Sequence, residues 1–62
     1  QFERNERMYR ALALSNLGVL HAAKGSPEIA RNTFRKALEL ESGLSAPRIN
    51  LARLAKGQTP RA

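Results

Sequence analysis

His21 is the one histidine of the chain, and there is no cysteine. A metal ion needs several convergent ligands, and neither a thiolate nor a second imidazole is present to complete such a set, so no metal site is expected. His21 reads instead as a packing residue on a helix. Glu39 and Glu41 stand two apart. On a helix that spacing turns them away from each other, so they do not form an acid/base pair. Glu3, Glu6 and Glu28 are suited to solvated or helix-dipole roles. Ser15, Ser26, Ser42 and Ser45 have no neighbouring base to activate them, and Ser26 and Ser45 sit where helix caps are expected. No glycine-rich loop is placed to cradle a phosphate. The expectation is a chain with no catalytic residues and no cofactor.

The remaining reactive chemistry is positive charge. Eleven basic residues against five acidic ones give a net charge of +6, which favours acidic partners in general. Arg4, Arg7 and Arg10 recur every three residues and could form a basic stripe. The charge is spread along the chain, and no aromatics are interleaved for stacking on bases. Glu3 precedes Arg7, and Glu6 precedes Arg10, by four residues, the favourable order for pairs along a helix. This stretch therefore reads as a solvated helix face.

Sixty-two residues allow a single small domain with a thin core and no disulfide to reinforce it. The chain begins on Gln1, not Met, and is expected to be an internal fragment. Its charged start does not resemble a secretory signal, and no apolar run is long enough to cross a membrane, so no membrane insertion is expected. The compartment is not legible.

Helix signals dominate. Residues 2–24 contain no proline and one glycine, Gly18. Gly25 is a natural stop, and Lys24 before it suits the negative end of the helix dipole. Ser26-Pro27-Glu28 carries the residues of a helix start. Ala30, Phe34, Ala37 and Leu38 then mark one helical face, with Arg31, Arg35 and Lys36 off it. Ser42-Gly43 ends that helix. A third is expected from Ser45, with Pro47 in its first turn, an apolar stripe of Leu51, Leu54 and Ala55, and a stop at Gly57. Residues 58–62 read as a frayed, flexible tail. Strand alternation is absent.

Asn16-Leu17-Gly18 recurs as Asn50-Leu51-Ala52, at an offset of 34 residues. At this period, with Ala30 and Phe34 in an Ala-x-x-x-Phe pair, the chain resembles the tetratricopeptide repeat family. Leu14 stands at the family's tryptophan, Leu17-Gly18 match as they are, His21 replaces the tyrosine, and Ser42 replaces the final proline. The resemblance covers residues 11–44 as one repeat and 45–56 as the first helix of the next, while residues 1–10 do not fit a preceding repeat. It implies an all-α, right-handed array: an antiparallel hairpin plus a third, capping helix. It also implies repeat packing by Leu14, Leu17, Gly18, His21, Ala30, Phe34, Ala37, Leu38 and Leu51, with Gly18 facing Ala30.

The same resemblance implies a protein–protein interaction or scaffold module. Its groove would be lined by Leu12, Ser15, Asn16, Val19, Ala22 and Ala23 on the first helix, and by Ile49, Asn50, Arg53 and Lys56 on the third. Family members that grip acidic chain termini pair Asn with Lys. Asn16 and Asn50 match the asparagines, but Ser15 and Val19 supply no cation, so an amphipathic helix or apolar segment is the expected ligand class. Burial by neighbouring repeats, or by a second copy, would serve the same apolar residues. A homo-oligomer or a longer array is therefore expected, with Phe2, Tyr9 and Leu12 on one side of the first helix.

A rival reading rests on the second half. Gly43-Leu44-Ser45, Ile49 and Ala52 resemble the turn and second helix of a helix-turn-helix, which would aim Arg48, Asn50 and Arg53 at nucleic acid. Against it, Glu39 occupies a position where that motif wants a small residue.

Overall fold

The computed structural model describes the backbone of residues 2–62 and the side-chain surroundings from Asn5 onward. The expected roles of the Phe2, Glu3 and Arg4 side chains lie outside the described residues. The chain is all-α: α1 spans Phe2–Ala23, α2 spans Pro27–Leu40 and α3 spans Ser45–Ala55. α1 and α2 pack along each other as a hairpin, α3 lies mainly on α2, and α1 meets α3 only slightly.

Two glycines end helices by the same local device. Gly25 has φ +86° and Gly57 has φ +73°. After α1, Ser26 N–H donates to the His21 carbonyl at 2.9 Å and Gly25 N–H to the Ala22 carbonyl at 3.0 Å. After α3, Gln58 N–H donates to the Arg53 carbonyl at 2.8 Å and Gly57 N–H to the Leu54 carbonyl at 3.0 Å. Carbonyls that the helix leaves free are satisfied this way, and the left-handed backbone it requires favours glycine. α2 ends at Leu40, earlier than Ser42-Gly43 suggested, with Glu41 N–H donating to the Ala37 carbonyl at 2.9 Å.

The starts depart further from expectation. Ser26 stands at the N-cap of α2, yet its hydroxyl makes no capping hydrogen bond. Its backbone carbonyl accepts from Ala30 N–H at 3.0 Å, and Pro27 supplies the first-turn geometry. Ser45 already lies within α3, whose N-cap is Leu44. Neither serine acts as a side-chain cap.

The core lies between α1 and α2. Ala11, Ala30, Phe34 and Ala37 are fully buried. Phe34 is the one large side chain of that group, and the alanines allow the helices to close around it. Thr33 is buried beside it, and its Oγ1 donates to the Ile29 carbonyl at 2.7 Å, so its hydroxyl is satisfied within the helix. On α3 the inward positions are Pro47 and Asn50. Leu51 and Leu54 are half-buried and Ala55 is exposed, so the inner face of α3 is not the all-apolar stripe expected.

The tail is also corrected. Pro60 is buried, and residues 59–61 are tied to α3 through their main chain. Among the described residues the ion pair is Arg31–Glu28 at 3.6 Å, and Glu6 and Arg10 do not close on each other.

Candidate interaction surface

Gly18 is buried on α1 directly beneath Phe34. A Cβ built on Gly18 would come within 2.5 Å of Phe34 Cε1. The close approach inferred from the sequence is therefore present, and the atoms nearest to it belong to the Phe34 ring. Leu14, His21, Leu38 and Leu51 are half-buried. Leu17 lies at the edge of the hairpin and is 43 % exposed. It lines a shallow apolar depression with Ala13, Leu14, Leu40 and the stem of Arg10. One residue before Gly18 on a helix, it is turned about 100° from the Gly18 direction, toward the edge of the hairpin.

The residues expected in the groove divide. Asn16, Ala23, Ile49 and Lys56 are exposed, Leu12 is 39 % exposed, and Val19, Ala22 and Arg53 are half-buried. Ser15 and Asn50 are not available on the surface, being 3 % and 2 % exposed. Ser15 falls on the α2-facing side of α1, between Ala11 and Gly18 at helical spacing. Asn50 is covered by the tail. Because α1 and α3 scarcely touch, the two halves of the expected groove are not pressed into one continuous cleft. Ile49, Asn50 and Arg53 share a cleft with Ser45, Ala46, Arg61 and Ala62. Ala22 lines another with Pro27, Leu54 and Pro60.

No family model, curated protein or solved structure matches this chain. What can be said of its interactions therefore comes from its own surface.

That surface is apolar on more than one side of α1. Tyr9, Leu12, Asn16, Val19, Leu20 and Ala23 follow one another at spacings of three, four, three, one and three along the face opposite the hairpin contact. Tyr9 is 70 % exposed and Leu20 is 56 % exposed. Leu17 and its neighbours flank this stripe.

The basic residues of α3 are engaged within the chain. The Arg48 guanidinium donates to the Ser42 carbonyl, Arg53 Nε donates to the Thr59 carbonyl at 2.6 Å, and Asn50 is bonded to Arg61. The three side chains that a helix-turn-helix would direct outward thus have internal partners. Among the described residues no group of three or more His, Asp or Glu could hold a metal. No described helix is long and apolar enough to cross a membrane. The Thr59–Arg61 segment, expected to fray, is held to α3 through its main chain. A signal was present in Pro60, which biases the residue before it to extended backbone and cannot continue a helix.

Proposed function

We propose that this chain is a tetratricopeptide-type interaction unit, one helical hairpin and the first helix of a following repeat, whose role is protein–protein assembly. The observation that carries the reading is the outer stripe of α1, where Tyr9, Leu12 and Leu20 stand exposed beside Val19 at helical spacing. In a stacked array such a face is buried by a neighbouring unit, and units of this kind need several copies to complete a core. The 34-residue recurrence and the Gly18–Phe34 approach support the same reading.

In the isolated chain the stripe is available to a second copy. A two-fold dimer would close on itself, whereas head-to-tail stacking would continue. The charge of +6 per chain opposes association, so added salt strengthens it through screening. Sedimentation across a concentration series, at low and moderate salt, tests this directly. A concentration-dependent rise in mass that grows with salt is the expected result. A monomer at high micromolar concentration, with a melting temperature independent of concentration, would remove the basis for self-assembly through α1.

A further inference from the structure

Past the end of α3 the chain turns at Gly57 and runs back as an extended segment. The contacts that hold it are directed at its backbone. Asn50 Nδ2 donates to the Arg61 carbonyl at 2.7 Å, and Arg61 N–H donates to Asn50 Oδ1 at 3.0 Å. Arg53 Nε donates to the Thr59 carbonyl at 2.6 Å. Between those two anchoring residues Pro60 is buried, while the Thr59 and Arg61 residues are exposed. Pro60 is one wall of an open cleft that Ala22, Pro27 and Leu54 also line.

A side-chain amide that both gives to the carbonyl and takes from the N–H of one residue uses up that residue's main-chain valences without reading its side chain. Arg53 adds a charge-assisted bond one proline away. Together they define a pattern: a carbonyl, then a proline, then a residue with a free N–H and carbonyl. Proline favours the extended conformation needed to present those groups. This is how a folded domain takes an extended peptide, with main-chain bonds giving hold and a pocket choosing one side chain.

We propose that residues 59–61 are an intramolecular ligand. Asn50, Arg53 and the surface that buries Pro60 form a binding site for extended proline-containing peptides, which the chain's own Thr59–Arg61 segment occupies and partly blocks. The proposal deepens the interaction reading but rests on a different face from the α1 stripe, so each can fail without the other. The partner must compete with the segment, and its apparent affinity is reduced by the fraction of time the segment is in place.

The probe is a synthetic peptide, Gly-Gln-Thr-Pro-Arg-Ala, acetylated and amidated so that no terminal charge contributes. It is titrated into the full chain and into Arg61→Pro, whose tail can no longer donate to Asn50 Oδ1. A control peptide carries proline in place of its arginine. The Arg61→Pro chain is expected to bind the first peptide about tenfold more tightly than the parent does, as for a segment engaged roughly nine-tenths of the time. The control peptide is expected not to bind. In the parent, the Arg61 amide should exchange slowly with solvent, and excess peptide should speed it. Equal affinity of the two chains, equal binding of the two peptides, no binding by Arg61→Pro, or unprotected exchange at Arg61 in the parent would each overturn the proposal.

Discussion

Gly18 of α1 lies so close to the Phe34 ring of α2 that an added Cβ would stand 2.5, 2.8 and 2.9 Å from three of its carbons. Phe34 is fully buried, so the ring has little room to retreat. The hairpin is therefore closed by a glycine on one helix and an aromatic on the other.

Gly18→Ala should consequently destabilise the fold. Alanine is the better helix former by about 1 kcal/mol. Overpacking costs about 1–3 kcal/mol, and the contact with a fully buried ring places this site toward the larger values. The net loss should be about 1–2 kcal/mol, and Gly18→Leu should be worse. Thermal unfolding followed by circular dichroism measures both. An alanine variant that melts at or above the parent temperature would mean the helices separate easily at this point.

Glycines without such a neighbour separate backbone strain from crowding. Nothing lies within 4 Å of a Cβ placed at Gly25, Gly43 or Gly57. Gly25 and Gly57 have positive φ, and Gly43 does not. Alanine at Gly25 or Gly57 should cost about 1–2 kcal/mol from left-handed backbone alone. Gly43→Ala should be neutral or stabilising, by up to about 1 kcal/mol, because it restricts the unfolded chain. Three melting curves suffice, and the order of the variants is the readout.

These contrasts show where the sequence was legible. Gly25, Pro27 and Gly57 act through the backbone within a few residues of themselves, and local chemistry is what a sequence displays directly. Gly18 was recognisable as a small residue at a helix contact from its place before His21 and opposite the Ala30–Phe34 pair. That the Phe34 ring comes nearest depends on the rotation of α2 about its axis, and spacing does not fix that. Asn50 and the tail were less accessible still. Their contact joins a side chain to a main chain eleven residues on, and the backbone of residue 61 offers the same groups whatever its side chain. A tail rich in polar residues reads as frayed unless the buried asparagine waiting for it is already known.

Asn50→Ala should release that tail while leaving the α1–α2 hairpin in place. Two hydrogen bonds are lost, each worth about 0.5–1.5 kcal/mol, and the freed groups of Arg61 can turn to water. Global stability should fall by about 1–3 kcal/mol at most, and each kcal/mol corresponds to about 4–8 °C in a domain of this size. The more specific signal is amide exchange. The Arg61 amide should lose its protection in the variant, whereas amides around Phe34 should lose only what the global change dictates. Uniform loss across the chain would mean that the tail and hairpin unfold as one unit.

The exposed stripe of α1 supports a prediction that separates assembly from folding. Leu20 is 56 % exposed in the single chain, so Leu20→Glu should remove little from the monomer's own core. A second copy packed on the stripe would bury the leucine, and fully burying such a side chain is worth about 1.5–3 kcal/mol. Glutamate in its place should weaken association by about tenfold or more, since about 1.4 kcal/mol is one decade in affinity. Its negative charge also lowers the repulsion between two chains of +6, and that acts in the opposite direction. Leu20→Gln removes this electrostatic contribution and should also weaken the dimer. Ile29 provides the control, being 51 % exposed on α2 and away from the stripe. Ile29→Gln should leave the association constant unchanged. Sedimentation of the three variants beside the parent, with helicity checked at the same concentrations, distinguishes the cases. If Ile29→Gln weakens association as much as Leu20→Gln, the contact is non-specific and the α1 stripe is not the assembly face.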